Sequence, residues 1–174
     1  MKKNINLWQL MGFAITSLGG TLLHFLYDWT NKNTVAALFS GVNESTWEHM
    51  KLLFFPMFIF ALIQSRFSKD FPGFWCIKLR GTLLGLILIP VIFYTYNGVI
   101  GKSPDWINIA IFFISAAVAY IYEARLFKKD FQCKFSKHSF VILCLFAILF
   151  FVFTFYPPQI PLFQDPVTKL YGIN

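Results

Sequence analysis

Five side chains in this sequence have the types and spacing from which metal chemistry is built. His24 and Asp28 are four residues apart, Glu44 and Glu48 are four apart, and His49 follows directly. On a helix, residues i and i+4 lie about 40° apart around the axis and one turn along it, so each pair shares a face. Imidazole nitrogen and carboxylate oxygen are ligands of zinc and other divalent transition metals, and a position left to water supplies an activated nucleophile. The ligand set this predicts is His24, His49 and one of Glu44 or Glu48, the other glutamate serving as general base. With Glu48 as the ligand, Glu44 and Asp28 are the catalytic carboxylates, and Asp165 near the C-terminus offers one more oxygen. The zincin pattern H-E-x-x-H is absent, and "EHMKL" reverses its first pair.

Helix capping explains part of the same residues. Ser45-x-x-Glu48 is a capping box that satisfies orphan amides at a helix start, and Asn43 is an alternative N-cap. Either choice puts a glutamate in the first turn, where the helix dipole favours an anion, and Glu48 can also pair with Lys51. Capping leaves His24, Asp28 and His49 unexplained. A metal-free hydrogen bond between histidine and carboxylate, locking two helices together, accounts for those. A third reading is an ion or substrate pathway, and haem held between His24 and His49 is a fourth.

The elements that must position these groups are membrane spans. The 174 residues are 57% hydrophobic and 13% charged, far from the roughly one quarter charged of a soluble domain. Apolar runs near 6–27, 47–65, 81–99, 106–125 and 139–156 approach the roughly 20 residues that cross a bilayer as a helix. They do not alternate as barrel strands would. The expected fold is all-α: one bundle of five transmembrane helices, the first of them uncleaved, capped at one end by the loop over 28–46 and by the C-terminal tail.

Charge fixes an expected orientation. In a five-span arrangement eleven of the fifteen Lys and Arg fall on one side and four on the other, which predicts a cell-membrane protein with its N-terminus cytoplasmic and its C-terminus extracellular. The net charge of +7 is therefore a topology signal, and nucleic acid is not an expected partner. The bilayer is. On this topology His24, Asp28, Glu44, Glu48, His49 and Asp165 all gather at the outer end.

Three smaller expectations follow. Glu123, deep for a carboxylate, should pair with Arg80. Cys76, Cys133 and Cys144 show no matched spacing and read as reduced thiols or packing. Asp165-Pro166, with Gly172 beyond, outlines a short surface helix, preceded by an extended run through Pro157, Pro158 and Pro161 that lets the tail fold back as a lid.

The stretch "LHFLYDWTNKNTVAALFSGVNESTWEHMKLLFFP" together with the ending "IPLFQDPVTKLYGI" resembles a family of small, uncharacterised, multi-pass bacterial membrane proteins known only as a domain of unknown function. The resemblance spans nearly the whole chain and implies no activity. Ser45-x-x-x-His49 also has the spacing found in membrane-embedded zinc hydrolases of the alkaline-ceramidase and progestin/adiponectin-receptor type. Those have seven spans and a late H-x-x-x-H, and here the only further histidine is His138, on the expected inner side. The reading placed first is an outer-facing site for zinc or another divalent transition metal, in a hydrolase acting on a lipid-like or small amphipathic substrate. The alternative is a non-enzymatic transporter, ion-pathway or interaction subunit.

Overall fold

A computed structural model describes residues 4–68, 71, 73–102, 104–129, 131 and 133–173. Lys2, Lys3 and Lys69, three of the cations used to orient the chain, lie outside the described residues. Among the described residues five helices are long and apolar enough to cross a membrane: α1 (Ile5–Trp29), α3 (Thr46–Arg66), α4 (Phe74–Val99), α5 (Asp105–Lys128) and α6 (Ser136–Phe155). A sixth, the short α2 (Thr34–Phe39), lies in the connection between the first two spans, N-capped by the Asn33 side chain. The chain is an all-helical, multi-pass membrane protein.

The spans begin and end close to expectation except α4, which starts seven residues before the predicted 81. The sequence count stopped there because Lys78 and Arg80 interrupt the apolar run. The helix carries both, the first buried and the second exposed. Lys78 is buried and donates to Glu123 Oε2 of α5 at 2.6 Å, and Arg80 stacks on the Phe131 ring. Glu123 thus pairs with Lys78 rather than with Arg80. Residues two apart on a helix point about 200° apart, so only one of the two cations can face α5.

α3 forms the centre and packs on α1, α4, α5 and α6. On α1 the buried side, set against α3 and α5, is the stripe Gln9, Gly12, Thr16 and Gly20, every third or fourth residue, flanked by half-buried residues such as Trp8, Phe13 and Leu23. Small residues matter here because helices in lipid associate through close packing rather than hydrophobic collapse. Pro56, inside α3, has no N–H to give to the Leu52 carbonyl. Gly20 lets α1 close on that oxygen: a Cβ at Gly20 would meet both Leu52 O and the Phe112 ring. Lower in the bundle the Thr16 and Tyr120 hydroxyls are hydrogen-bonded at 2.8 Å, tying α1 to α5.

At the other end of α1 and α3 the connections form a cap. Lys51, fully buried, is ion-paired with Glu48 and donates to Ala37 O of α2 (2.9 Å) and Thr154 Oγ1 of α6 (2.8 Å), so one ammonium fastens three helices. The tail turns back after α6, and Phe163 packs on Trp47. Beyond it the expected short helix is instead a tight hairpin-like turn. Asp165 N donates to Leu170 O and Lys169 N to Asp165 O, and Gln164 bridges Tyr171. Lys169 and Gly172 take positive φ, which a continuing helix excludes. Cys76 and Cys133, expected as separate thiols, are joined in a disulfide that links the start of α4 to the segment before α6. Their 57-residue separation held no sign of that, because only the tertiary packing of α4 beside α6 brings them together.

Candidate metal site at the capped end

His24 comes from the last turns of α1 and His49 from the first turn of α3, and the two helices run antiparallel so that these turns meet. The ring centroids are 5.9 Å apart. Glu44 reaches between them from the loop. Its Oε1 is 3.7 Å from His24 Nε2 and its Oε2 is 3.6 Å from His49 Nε2. The ligand atoms of His24, Glu44 and His49 all lie within 4.8 Å of one another.

The loop holds Glu44 by fixing both of its neighbours. Asn43 accepts from Ser45 N through Oδ1 and donates through Nδ2 to Gly172 O of the folded-back tail, each at 2.9 Å. Ser45 is the N-cap of α3 and its hydroxyl accepts from Glu48 N. Only half of the capping box forms, since the Glu48 carboxylate turns to Lys51 and accepts from Val42 N at 3.1 Å instead. With Asn43 and Ser45 tied down, the backbone that carries Glu44 is fixed beside the two histidines.

His49 is oriented as metal-binding histidines are. Its Nδ1 lies 3.0 Å from Ser45 O. A carbonyl oxygen only accepts, so Nδ1 carries the hydrogen, and in the neutral ring Nε2 presents a lone pair to Glu44. Two acceptors facing each other at 3.6 Å repel unless a cation or a proton stands between them. Both histidine–glutamate contacts are too long for hydrogen bonds. They are close to the roughly 3.3 Å between ligand atoms in a tetrahedral zinc shell with 2.0–2.1 Å bonds.

Of the remaining predicted site residues, none joins this cluster. Glu48, the glutamate expected as ligand, is 2% exposed and committed to Lys51 and the loop. Asp165 is buried in its own turn, accepting from Val167 N at 2.7 Å and from Thr168 N at 3.3 Å. Asp28, one turn beyond His24 on the same face of α1, is exposed. An ion pair with Lys51 takes the first and a local turn the second, and the cluster takes the remaining glutamate.

The cluster stands on the wall of a cavity of about 570 Å³, reached from α1, α4, α5 and the tail. Thr21, Phe93, Asn97, Lys102, Asn108 and Phe112 line it, with Pro166 and Val167 of the tail at its edge, so the folded-back tail does form part of the enclosure. Asn97 and Asn108 are polar interruptions near the ends of two apolar runs at the same end of the bundle, a signal present in the sequence. Nothing in the sequence joined them to the histidines, because they sit on helices that are distant in the chain.

Residues 1–173 match a family described as a family of unknown function (DUF6512). No curated protein and no solved structure matches the chain.

Proposed function

The chain belongs to the family of unknown function DUF6512, so its activity has to be read from its own residues, and we propose that His24, Glu44 and His49 bind zinc or a similar divalent transition metal as the centre of a membrane hydrolase. The observation that carries this is the convergence of two imidazole nitrogens and a carboxylate within 4.8 Å at a cavity wall. Three protein ligands leave a fourth position for water, which is how catalytic zinc differs from structural zinc. The metal would acidify that water and polarise the bond it attacks. The Ser45 carbonyl on His49 Nδ1 is the outer partner that holds the ring in register. Glu44 moves from the general-base role to that of ligand, and Asp28, exposed one turn beyond His24, is the nearest carboxylate in sequence left for proton transfer. The substrate class is lipid-like or small and amphipathic, in keeping with a site at the end of a bundle of membrane spans.

The orientation follows from the basic loops, which put this end outside and the end carrying Lys78 inside. The Cys76–Cys133 disulfide lies at the basic end, where a reducing cytosol would open it. Labelling single-cysteine variants at 102 and 134 with an impermeant thiol reagent in intact cells decides between the two. Labelling at 102 alone supports the charge rule, and labelling at 134 alone reverses it.

Elemental analysis of detergent-purified protein, without a metal-binding tag, tests the site. Near one zinc, iron or manganese per chain, lost in His49→Ala and in His24→Ala, supports the proposal. A well-folded wild type without metal defeats it and leaves an imidazolium–carboxylate lock, in which each Glu44 oxygen faces one protonated ring.

A further inference from the structure

The cavity beside the cluster has a polarity gradient that matches a bilayer. Of its lining, His24, Glu44, His49 and Lys102 lie toward the capped end. Gly20, four residues and thus about 6 Å deeper along α1 than His24, lines it too, with Leu52 and Phe112. A molecule filling the space would hold its polar end near the membrane surface and its apolar end toward the midplane, as lipids do.

The same cavity reaches the lipid-facing surface. Phe25 of α1 and Ile109 of α5 line it, yet 45% and 58% of their surfaces are exposed. Deeper in the bundle the two helices are sealed by Gly20 against Phe112 and by Thr16 against Tyr120. Toward the capped end residues of both helices line the cavity. Its volume of about 570 Å³ equals about 19 water molecules at roughly 30 Å³ each. Within the cavity that is room for one hydrocarbon chain and a compact head.

The charge toward the capped end selects the head. Lys102 contributes one positive charge, and a divalent ion held by one carboxylate and two neutral imidazoles adds a net positive charge. An acidic head would be drawn to both.

We infer that this cavity binds a single-chain amphiphile with an acidic head, carboxylate or phosphate, which slides in from the bilayer between α1 and α5 with its chain directed to Gly20 and Phe112. The choice of head rests on the metal-site reading, whereas the fit of the chain stands without it.

Native mass spectrometry of the protein in lipid nanodiscs, titrated with dodecyl phosphate, laurate and dodecyltrimethylammonium, tests this. The expected result is one saturable dodecyl phosphate or laurate per chain, about tenfold tighter than the cation, the scale of one partly solvated ion contact. Lys102→Glu should reduce that preference and leave chain binding in place. Thr21→Trp and Ile109→Trp, both at exposed wall positions, should abolish binding while metal content stays at the wild-type level. Failure of metal-loaded wild type to bind any of the three, or undiminished binding by both tryptophan variants, overturns the inference. Equal binding of acidic and cationic heads by metal-loaded protein overturns the assignment of the head. If wild type holds no metal but still takes one chain that Thr21→Trp excludes, the metal reading fails and the chain site stands.

Discussion

Two groups of charged residues sit at opposite ends of the same bundle, and they are built differently. At the capped end Glu44 faces two histidines at 3.6 and 3.7 Å, with the side chains 20% to 49% exposed and a cavity beside them. Toward the basic end Lys78 and Glu123 meet at 2.6 Å with 2% and 0% of their side chains exposed. Rings of Phe60, Phe74, Tyr120 and Phe127 surround the ammonium, their centroids 5.5 to 5.8 Å away. Glu123 lies over Gly81, where a Cβ would collide with it. The first arrangement leaves room between its members and a route to them; the second is closed. Intramembrane charge alone marks neither function nor structure, and spacing plus access separates the two.

That contrast can be broken from either side. The largest effect should come from the closed pair. Lys78→Met or Glu123→Gln leaves one buried group without its partner and should cost about 3–5 kcal/mol, read as lost stability in reversible unfolding from detergent. Replacing both with methionine should restore most of it, since an apolar pair of similar volume has no charge to desolvate. Failure of the double variant to recover would mean that the pair has a task beyond packing.

Lys51→Met should fall in the same range, because it strands Glu48 and frees Ala37 O and Thr154 Oγ1 together. It should loosen the cap as well, visible as faster proteolysis between α1 and α3. Thr16→Val leaves the Tyr120 hydroxyl buried without its partner and should cost about 1–3 kcal/mol, measured the same way. Ser45→Ala removes the N-cap of α3 at about 1 kcal/mol. It should also weaken metal retention, since the cap fixes the turn that presents both Glu44 and His49.

The smallest effect on stability and the largest on metal belong to the open cluster. Compared with chelated wild type, so that lost metal binding does not itself enter the difference, His24→Ala and His49→Ala should shift unfolding by no more than about 0.5 kcal/mol, as partly exposed positions do, while the metal content of the untreated variants falls to background. If either variant unfolds as readily as Lys78→Met, the cluster is a structural lock and the difference between the two ends disappears.

The membrane class, the number of spans and their approximate limits could be read directly from the chain, because a continuous apolar run is a local property and a bilayer imposes its length. The same is true of the Ser45 cap and of the His24 and His49 turns as places of interest, since a cap and a helical face depend only on near neighbours in sequence. What only the folded structure decided was partnership. Glu123 took Lys78 and not Arg80, Glu48 went to Lys51 while Glu44 went to the histidines, and Asp165 closed a turn of its own. Those choices depend on which faces of distant helices meet and in what register. α1 meets α3 with Gly20 set against the Leu52 carbonyl, Gly19 against Pro56 and Gly12 against Phe60, close approaches allowed by missing Cβ atoms that together hold the two helices in the register at which His24 meets His49. No local rule carries that information, because it is fixed by the packing of residues that are far apart in the chain.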